Sequence, residues 1–250
     1  MQFMSEGVKR HDRKESGDAR RERWREHRAA RRTEFVDAAL RAAAKYGPDL
    51  AMEHVAAEAR VTKPVLYRHF TDKADLFVAL GQRGTHILFE RLLPAIAHDE
   101  APVPRIRKSL DAFFSVIEDH PNLYRLLARR SIGDRQVDSD PVREDKEIIA
   151  NTLSTLLGDY LRSFGMDSGG ALPWAHAVVG MVQNTGEWWL ESRTMSRDAV
   201  VEYLTSIIWA AIDGLLRQNG VALDPNRPIE NSKIIRMPTG PADMPNSTGA

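Results

Sequence analysis

The sequence predicts an all-α protein of about nine helices, with a small N-terminal three-helix domain followed by a larger C-terminal helical domain. Apolar residues recur at intervals of three and four through most of the chain, which is the spacing of one face of a helix. No segment shows the alternation of apolar and polar residues that is typical of a strand. Prolines and glycines fall between the periodic segments, where they end one helix or begin the next.

The composition bounds the class of protein. The chain has 250 residues, of which 28% are charged and 42% hydrophobic, and this is typical of a soluble, helix-rich protein. It has no cysteine, which excludes disulfides, thiolate catalysis and cysteine-ligated zinc. No run approaches the roughly 20 apolar residues of a membrane span, and residues 1–32 alternate charges without the apolar core of a secretory signal. We therefore expect a cytoplasmic protein with no membrane partner.

Charge is distributed unevenly although the formal net charge is zero. Residues 1–70 hold 16 Lys and Arg against 11 Asp and Glu, whereas the remaining residues hold 19 against 24. A basic first third on an acidic remainder indicates nucleic acid bound at one end, although a solvated charged surface would give the same asymmetry.

The N-terminal elements follow from local signals. Residues 1–27 are highly polar and predict a disordered basic arm. Its basic cluster would either follow a phosphate backbone or stay hydrated, and consists of Arg20, Arg21, Arg23, Arg25, Arg28, Arg31 and Arg32. A first helix should run from about residue 27 or 30 to Tyr46 and stop at Gly47-Pro48. A second should span residues 52–59 and lead through a turn at Arg60-Val61 into a third.

The third helix, over residues 62–70, organises the rest. Thr62 suits its N-cap, and Pro64 suits its first turn, where a missing N–H costs nothing. Leu66 and Phe70 are four residues apart, so they share one face, which must be buried. The other side is cationic and aromatic, with Lys63, Tyr67 and Arg68. A helix of about two turns cannot stand alone in water, so its neighbours must hold it. Two short helices joined by a tight turn, the second cationic, are the pattern of a helix-turn-helix, and we interpret the third helix as a DNA recognition helix.

The remainder is also predicted to be helical. The expected helices span residues 72–94, 103–119, 122–130, 141–164, 173–192 and 196–218, with a polar loop over 131–139. Asp140-Pro141 and Ser196 are helix-start signals. Residues 220–250 hold five of the thirteen prolines and are expected to be a disordered tail.

Residues 34–80 resemble the DNA-binding domain of the TetR family of bacterial transcriptional repressors. The resemblance is carried by Val55-Ala56, Ala59-Arg60-Val61, the run from Thr62 to Phe70, and Thr71-Asp72-Lys73-Ala74-Asp75-Leu76. It implies a DNA-binding domain over residues 28–75 and a helical effector-binding and dimerisation domain over residues 76–219.

Position by position, the resemblance implies a set of DNA-contacting residues. They are Thr62, Lys63, Pro64, Val65, Tyr67, Arg68, His69 and Lys73. Arg68 can donate two hydrogen bonds to guanine, Val65 can pack on a thymine methyl, and Tyr67 can donate to a phosphate. Two positions depart from the family pattern. Arg60 stands where glycine is usual in the turn, so it either accepts a left-handed backbone or alters the turn. Glu53 stands near a usual phosphate contact and could instead serve the helix dipole.

For the C-terminal domain the resemblance implies homodimerisation through the last two helices and a small-molecule pocket among the fourth to eighth helices. An extrapolation from helix faces gives the candidate ligand contacts Phe89, Leu92, Phe113, Ile117, Leu126, Met181, Asn184, Thr185 and Trp188. Such a lining suits an apolar or amphipathic ligand, namely an acyl chain, a hydrocarbon or a drug-like molecule, with Asn184 or Glu187 orienting a polar head.

No catalytic or metal-binding motif stands out. His176, Glu187 and Glu191 share the eighth helix without the Glu-x-x-His spacing of a di-iron bundle, and no nucleophile elbow, phosphate loop or zinc-protease motif is present. We therefore expect no enzyme activity and no cofactor. The expected function is a ligand-responsive repressor that binds a palindromic DNA operator as a homodimer. Alternatives are an activator or a regulator without a small-molecule effector, and a helical-bundle enzyme or scaffold with a vestigial helix-turn-helix.

Overall fold

The computed structural model of the chain describes residues 6–97, 100–133, 141–229 and 235–236, with side chains described over 22–96, 100–127 and 146–229. The chain folds into two compact units, Met1–Arg83 and Gly84–Ala250. Among the described residues the secondary structure is almost entirely helical, with nine α-helices, which confirms the predicted fold class.

The first unit is built from three helices and the start of a fourth. They are α1 (Glu6–Tyr46), α2 (Met52–Glu58), α3 (Lys63–Leu66) and α4 (Lys73–Ala97), with a 3₁₀ turn over Gly47–Asp49. Helix α1 ends at Tyr46 as predicted, because Gly47 has a φ of 52°, which glycine adopts without steric cost. Its start differs from the prediction. The helix begins at Glu6, so residues 6–27, expected as a disordered arm, are helical, while residues 1–5 lie outside the described residues.

The core of this unit is formed by one face from each helix. Its fully buried side chains include Phe35, Leu50, Val55, Leu66, Phe70, Leu76 and Leu80. The pair Leu66 and Phe70 is buried as the four-residue spacing predicts. This burial fixes α3 between its neighbours, which a four-residue helix needs because it cannot form alone.

The second unit contains the rest of α4 and five further helices. They are α5 (Pro102–Asp119), α6 (Pro121–Gly133), α7 (Pro141–Ser163), α8 (Ala171–Ser192) and α9 (Arg197–Gln218). Helix α7 starts at Pro141 as predicted, and the Ser196 hydroxyl caps α9 by accepting from the Ala199 N–H at 3.2 Å. The expected loop over 131–139 differs, since α6 continues to Gly133, and residues 134–140 lie outside the described residues.

The core of the second unit lies where α5, α8 and α9 meet. Phe114 and Trp189 pack edge to face with ring centroids 5.5 Å apart, and Val201, Leu204 and Ile208 of α9 are buried in the same cluster. By length and composition α9 is apolar enough to cross a membrane. Only 33% of its most apolar stretch is buried, so packing in this core accounts for part of that composition, and other apolar side chains of α9 are exposed.

The C-terminal segment corrects the prediction of a disordered tail that begins at residue 220. Val221 is buried against Phe164 and Leu216, with Leu223 and Ile229 packed on the same cluster. Two-residue strands β1 (Val221–Ala222) and β2 (Ile235–Arg236) pair antiparallel, which the sequence pattern did not predict. Apolar residues among the prolines hold residues 221–229 to the unit, and residues 237–250 lie outside the described residues.

Candidate nucleic-acid interface and ligand cavity

The exposed side of α3 presents the residues that the sequence predicted. Thr62, Lys63, Pro64 and Arg68 are exposed, Tyr67 is 49% exposed, and Val65 is half-buried. Pro64 lies in the first turn, whereas Thr62 has the extended backbone of an N-cap but makes no side-chain cap hydrogen bond. Lys73, at the start of α4, is also exposed, with its ammonium 5.2 Å from the centre of the Phe77 ring. The arrangement offers cations and a phenol on one rigid surface.

The turn before α3 is left-handed at an arginine. Arg60 has a φ of 55°, a region that costs a residue with a Cβ about 1 kcal/mol or more. Of the two options left open by the sequence, the chain therefore accepts the strain. The Val61 N–H donates to the Ala56 carbonyl at 2.9 Å across this turn, which closes α2 and sets the direction of α3.

His69 differs from the other predicted contacts. Its ring packs edge-on against Phe35 of α1 with centroids 5.0 Å apart, and its Nδ1 is buried without a hydrogen-bond partner. Burial lowers the pKa of His69, and the positive charges of nearby arginines lower it further. A neutral, half-buried imidazole at this position supports the packing of α3 onto α1 more than a phosphate contact.

Two arginines of the predicted basic cluster, both on α1, contact the backbone just after the C-terminal end of α3, a role that the sequence analysis did not predict. Arg28 donates to the Arg68 carbonyl at 3.1 Å, and Arg32 donates to the His69 carbonyl at 2.5 Å. Arg32 also pairs with Asp75 of α4 at 2.6 Å. The side-chain hydrogen bond from Arg32 lowers the pKa of Asp75 despite partial burial. The four-residue spacing of Arg28 and Arg32, in line with the buried stripe of α1, is the signal that could have predicted this contact role.

At the N-terminal end of α3, Lys63 pairs with an acidic residue of α2. The Lys63 ammonium donates to the Glu53 carboxylate, and both side chains are about half exposed. The hydrogen bond from Lys63 lowers the pKa of Glu53, and the same bond raises the pKa of Lys63. Both groups are therefore charged at neutral pH, and Glu53 has a specific partner beyond the helix dipole.

The second unit contains a cavity of about 90 Å³. Its lining is mostly apolar with a polar side: Gly84, Thr85, Leu88, Phe113, Val116, Ile117, His120, Leu123, Tyr124, Leu127, Lys146, Ile149, Gln183 and Glu187. Burial raises the pKa of Tyr124, and the negative charge of Glu187 raises it further, so the phenol stays protonated as a hydrogen-bond donor.

Only part of the predicted ligand set lies at this cavity. Phe113 and Ile117 line it, and so does Glu187, which was expected to orient a polar head. The other seven residues lie outside its lining: Leu92 and Leu126 are buried, Phe89, Met181 and Thr185 are half-buried, and Asn184 and Trp188 are exposed. The reason is the rotation of α8, which turns Gln183 and Glu187 inward. Neighbouring residues point about 100° apart around a helix, so one position decides between cavity and solvent.

Helices α8 and α9 leave large apolar side chains exposed. Leu172 and Trp188 of α8 are 47% and 45% exposed, and Tyr203 and Ile207 of α9 are 63% and 56% exposed. Small residues on the same helices, including Gly180, Ala210 and Ala211, are also exposed. Exposed apolar groups beside small residues are typical of helices that pack against a partner.

Among the described residues no group of three acidic or histidine side chains is placed to hold a metal ion.

Comparison with protein families matches residues 35–80 to the family described as bacterial regulatory proteins, tetR family, and residues 91–221 to the tetracyclin repressor-like C-terminal domain.

Comparison with curated proteins finds two informative relatives. The chain is 33% identical over 204 residues to an uncharacterized HTH-type transcriptional regulator of Mycobacterium tuberculosis, covering 81% of this chain and 86% of that protein. It is 27% identical over 179 residues to the HTH-type transcriptional activator FasR of Mycolicibacterium smegmatis, covering 71% and 77%.

Among solved structures, the chain is similar to a TetR-like transcriptional regulator from Rhodococcus sp. RHA1, with a TM-score of 0.58 and 24% identity over 74% of this chain and 97% of that one. It is also similar to FadR from Bacillus subtilis in complex with stearoyl-CoA, with a TM-score of 0.55 and 19% identity over 70% and 96%. These likenesses concern the fold.

Proposed function

Because this chain belongs to the TetR family of bacterial regulatory proteins, we propose that it is a cytoplasmic transcriptional repressor that binds a palindromic operator as a homodimer. An apolar or amphipathic small molecule releases it from the DNA. Its relatives are transcriptional regulators, and the proposal assigns no enzymatic reaction to it.

The observation that carries the proposal is the exposed side of α3. Leu66 and Phe70 are buried, so the opposite side, with Lys63, Tyr67 and Arg68, faces solvent on a rigid support. A major groove admits a helix, its base edges accept hydrogen bonds from arginine, and its flanking phosphates attract lysine and a phenol. This side chain set therefore suits a DNA duplex.

The homodimer follows from the geometry of a two-fold operator. One short helix reads only a few base pairs, so two copies must engage half-sites one helical turn apart. The exposed Leu172, Trp188, Tyr203 and Ile207 of α8 and α9 support a dimer surface there. Burying such groups between two copies stabilises the dimer by the hydrophobic effect.

The effector would bind in the cavity of the second unit. Leu88, Phe113 and Ile117 supply apolar contacts, and Tyr124 and Lys146 offer hydrogen-bond donors at its polar side. This lining supports an amphipathic ligand, and the FadR structure with stearoyl-CoA supports the acyl class. Its volume of about 90 Å³ is well below the roughly 300 Å³ or more of typical ligand sites, so an acyl chain has to open it.

Helix α4 offers the route for release. Gly84, Thr85 and Leu88 of α4 line the cavity, and Lys73 at the start of the same helix is a proposed phosphate contact. A ligand that favours an opened cavity shifts α4 and with it the spacing of the two recognition helices. To change occupancy from mostly bound to mostly free, it must prefer the released state by about 5 kcal/mol.

A second candidate function is transcriptional activation. The similarity to FasR, an activator, favours it, because the relative spans 71% of this chain. Activation uses the same DNA interface and cavity, so the two functions differ in where the operator lies relative to the promoter. Transcription measured in vitro with and without the protein separates them.

The experiment that tests the proposal is a gel shift with the promoter region of the chain's own gene, at several salt concentrations. Specific retention that weakens steeply with salt supports the regulator, and no retention at low salt contradicts it. Tyr67→Ala and Lys73→Ala should weaken binding to every duplex, whereas Arg68→Ala should relax preference at one base pair. Mass spectrometry of molecules that co-purify with the protein tests the effector class.

A further inference from the structure

We infer that Glu53 is a specificity-determining residue that limits sequence-independent binding to DNA, by competing with backbone phosphates for the ammonium group of Lys63. The inference rests on the proposed function, because it takes the exposed side of α3 as the DNA-binding surface. Glu53 lowers the affinity for DNA, whereas the cations around it raise that affinity.

The competing pair joins two helices at their first turns. Glu53 lies in the first turn of α2, and Lys63 is the first residue of α3. The Lys63 ammonium donates to the Glu53 carboxylate, and the two side chains are 48% and 58% exposed. The pair therefore lies on the surface where a duplex would approach, and it is open to exchange with solvent ions and phosphates.

Electrostatics decides the sign of the effect. A free lysine on a DNA surface neutralises one phosphate and releases about 0.9 of a counterion, which favours binding to any duplex. A lysine that is paired with a carboxylate adds no net positive charge to the surface, because the two charges cancel. For a phosphate to take the Lys63 ammonium, the pair must break and leave the Glu53 carboxylate facing the polyanion, which is a like-charge contact. Glu53 therefore lowers the affinity for DNA of any sequence.

The experiment uses the full-length chain and a short random-sequence duplex, with fluorescence anisotropy measured over about 50–200 mM salt. Glu53→Gln should bind this duplex roughly two- to fivefold more tightly, the size that an exposed pair permits. The dependence of log affinity on log salt should steepen by up to about one. Lys63→Gln should bind more weakly, and the gain from Glu53→Gln should be smaller in the Lys63→Gln background, where it removes only the repulsion between Glu53 and the phosphates and frees no ammonium group.

Glu58→Gln is the matched control. Glu58 lies on the same helix and is also ion-paired, but with Arg41 and Lys45 of α1 and not with a proposed DNA contact. The substitution removes the same charge, so it reports the effect of net charge alone. Glu53→Ala provides a second variant without the side-chain amide, and circular dichroism checks that each variant is folded.

Each outcome supports or overturns the inference. Equal gains in Glu53→Gln and Glu58→Gln would overturn it, as would a gain from Glu53→Gln that is undiminished in the Lys63→Gln background, or a loss of affinity in Glu53→Gln. In these cases wild-type binding still supports the proposed function. If the wild-type protein binds no duplex at low salt, both the proposed function and the inference fail.

Discussion

Replacing Arg32 should destabilise the C-terminal end of α3 and the residues that follow it, without unfolding the protein. Its guanidinium donates to the His69 carbonyl at 2.5 Å, pairs with Asp75 at 2.6 Å and lies 4.3 Å from the centre of the Phe70 ring. We assign about 1 kcal/mol to the carbonyl bond, about 1 kcal/mol to the partly exposed ion pair and about 0.5 kcal/mol to the ring contact. Arg32→Ala should therefore cost about 2–3 kcal/mol locally.

Hydrogen exchange of backbone amides measures this loss of stability in the segment where it occurs. The Phe70 N–H donates to the Leu66 carbonyl at 3.0 Å, so its exchange reports opening of α3 and the residues after it. A loss of about 2–3 kcal/mol corresponds to exchange roughly 30- to 150-fold faster in Arg32→Ala. Arg32→Lys keeps the charge but not the planar fork, so its exchange should lie between those of the wild type and Arg32→Ala.

Arg31→Ala is the control for this prediction. Arg31 adjoins Arg32 on α1, pairs with Glu34 three residues away and has its guanidinium 5.0 Å from the Phe35 ring. Its ion pair is exposed, so its loss should cost less than about 1 kcal/mol. Equal exchange at Phe70 in the two variants would show that the long-range contacts of Arg32 do not hold the segment, and the reasoning would be wrong.

Three further results are expected. Since the hydrogen bond from Arg32 lowers the pKa of Asp75, the stability from this pair is present above the ordinary carboxyl pKa of about 4 and is lost as pH falls through the lower folded value. The difference in amide exchange between wild type and Arg32→Ala should therefore shrink in acid, and a constant difference would refute the assignment. Trp189→Phe should lower the free energy of unfolding by about 1–3 kcal/mol in urea titrations, because its buried indole N–H donates to the Met195 carbonyl at 3.0 Å. Trp24→Phe is the control and should change it little, because Trp24 is exposed and lies outside the proposed dimer surface. Ile207→Glu should dissociate the proposed dimer in analytical ultracentrifugation, whereas Ile148→Glu, at a similarly exposed position on α7, should not.

Local signals predicted most of the helices and the exposed side of α3. Gly47-Pro48, Pro141 and Ser196 act within a turn of the chain, so their effect on helix ends can be read directly from the sequence. The spacing of Leu66 and Phe70 likewise decides which side of the helix is buried. These features need no knowledge of distant residues, because they follow from capping, proline geometry and helical periodicity.

The cavity of the second unit could be predicted only to the level of the helices that form it. Phe113 and Ile117 of α5 line the cavity, whereas α8 turns Gln183 and Glu187 toward it where Asn184 and Thr185 were expected. Several faces of α8 carry apolar residues, so hydrophobic periodicity does not distinguish the cavity side from a partner-facing side. Packing against the other helices decides which face of α8 lines the cavity.

The amino-acid sequence by itself determined an all-α fold class, the limits of most helices and the cationic exposed side of α3, because these depend on residues a few positions apart. The tertiary structure alone decided the partners of its charged side chains. Arg32 meets Asp75 across 43 positions, Glu53 meets Lys63 across a turn that requires a left-handed Arg60, and Val221 packs onto Phe164. Such contacts depend on how whole helices are oriented when their apolar faces are buried together. That orientation cannot be predicted from residues that are close in the sequence.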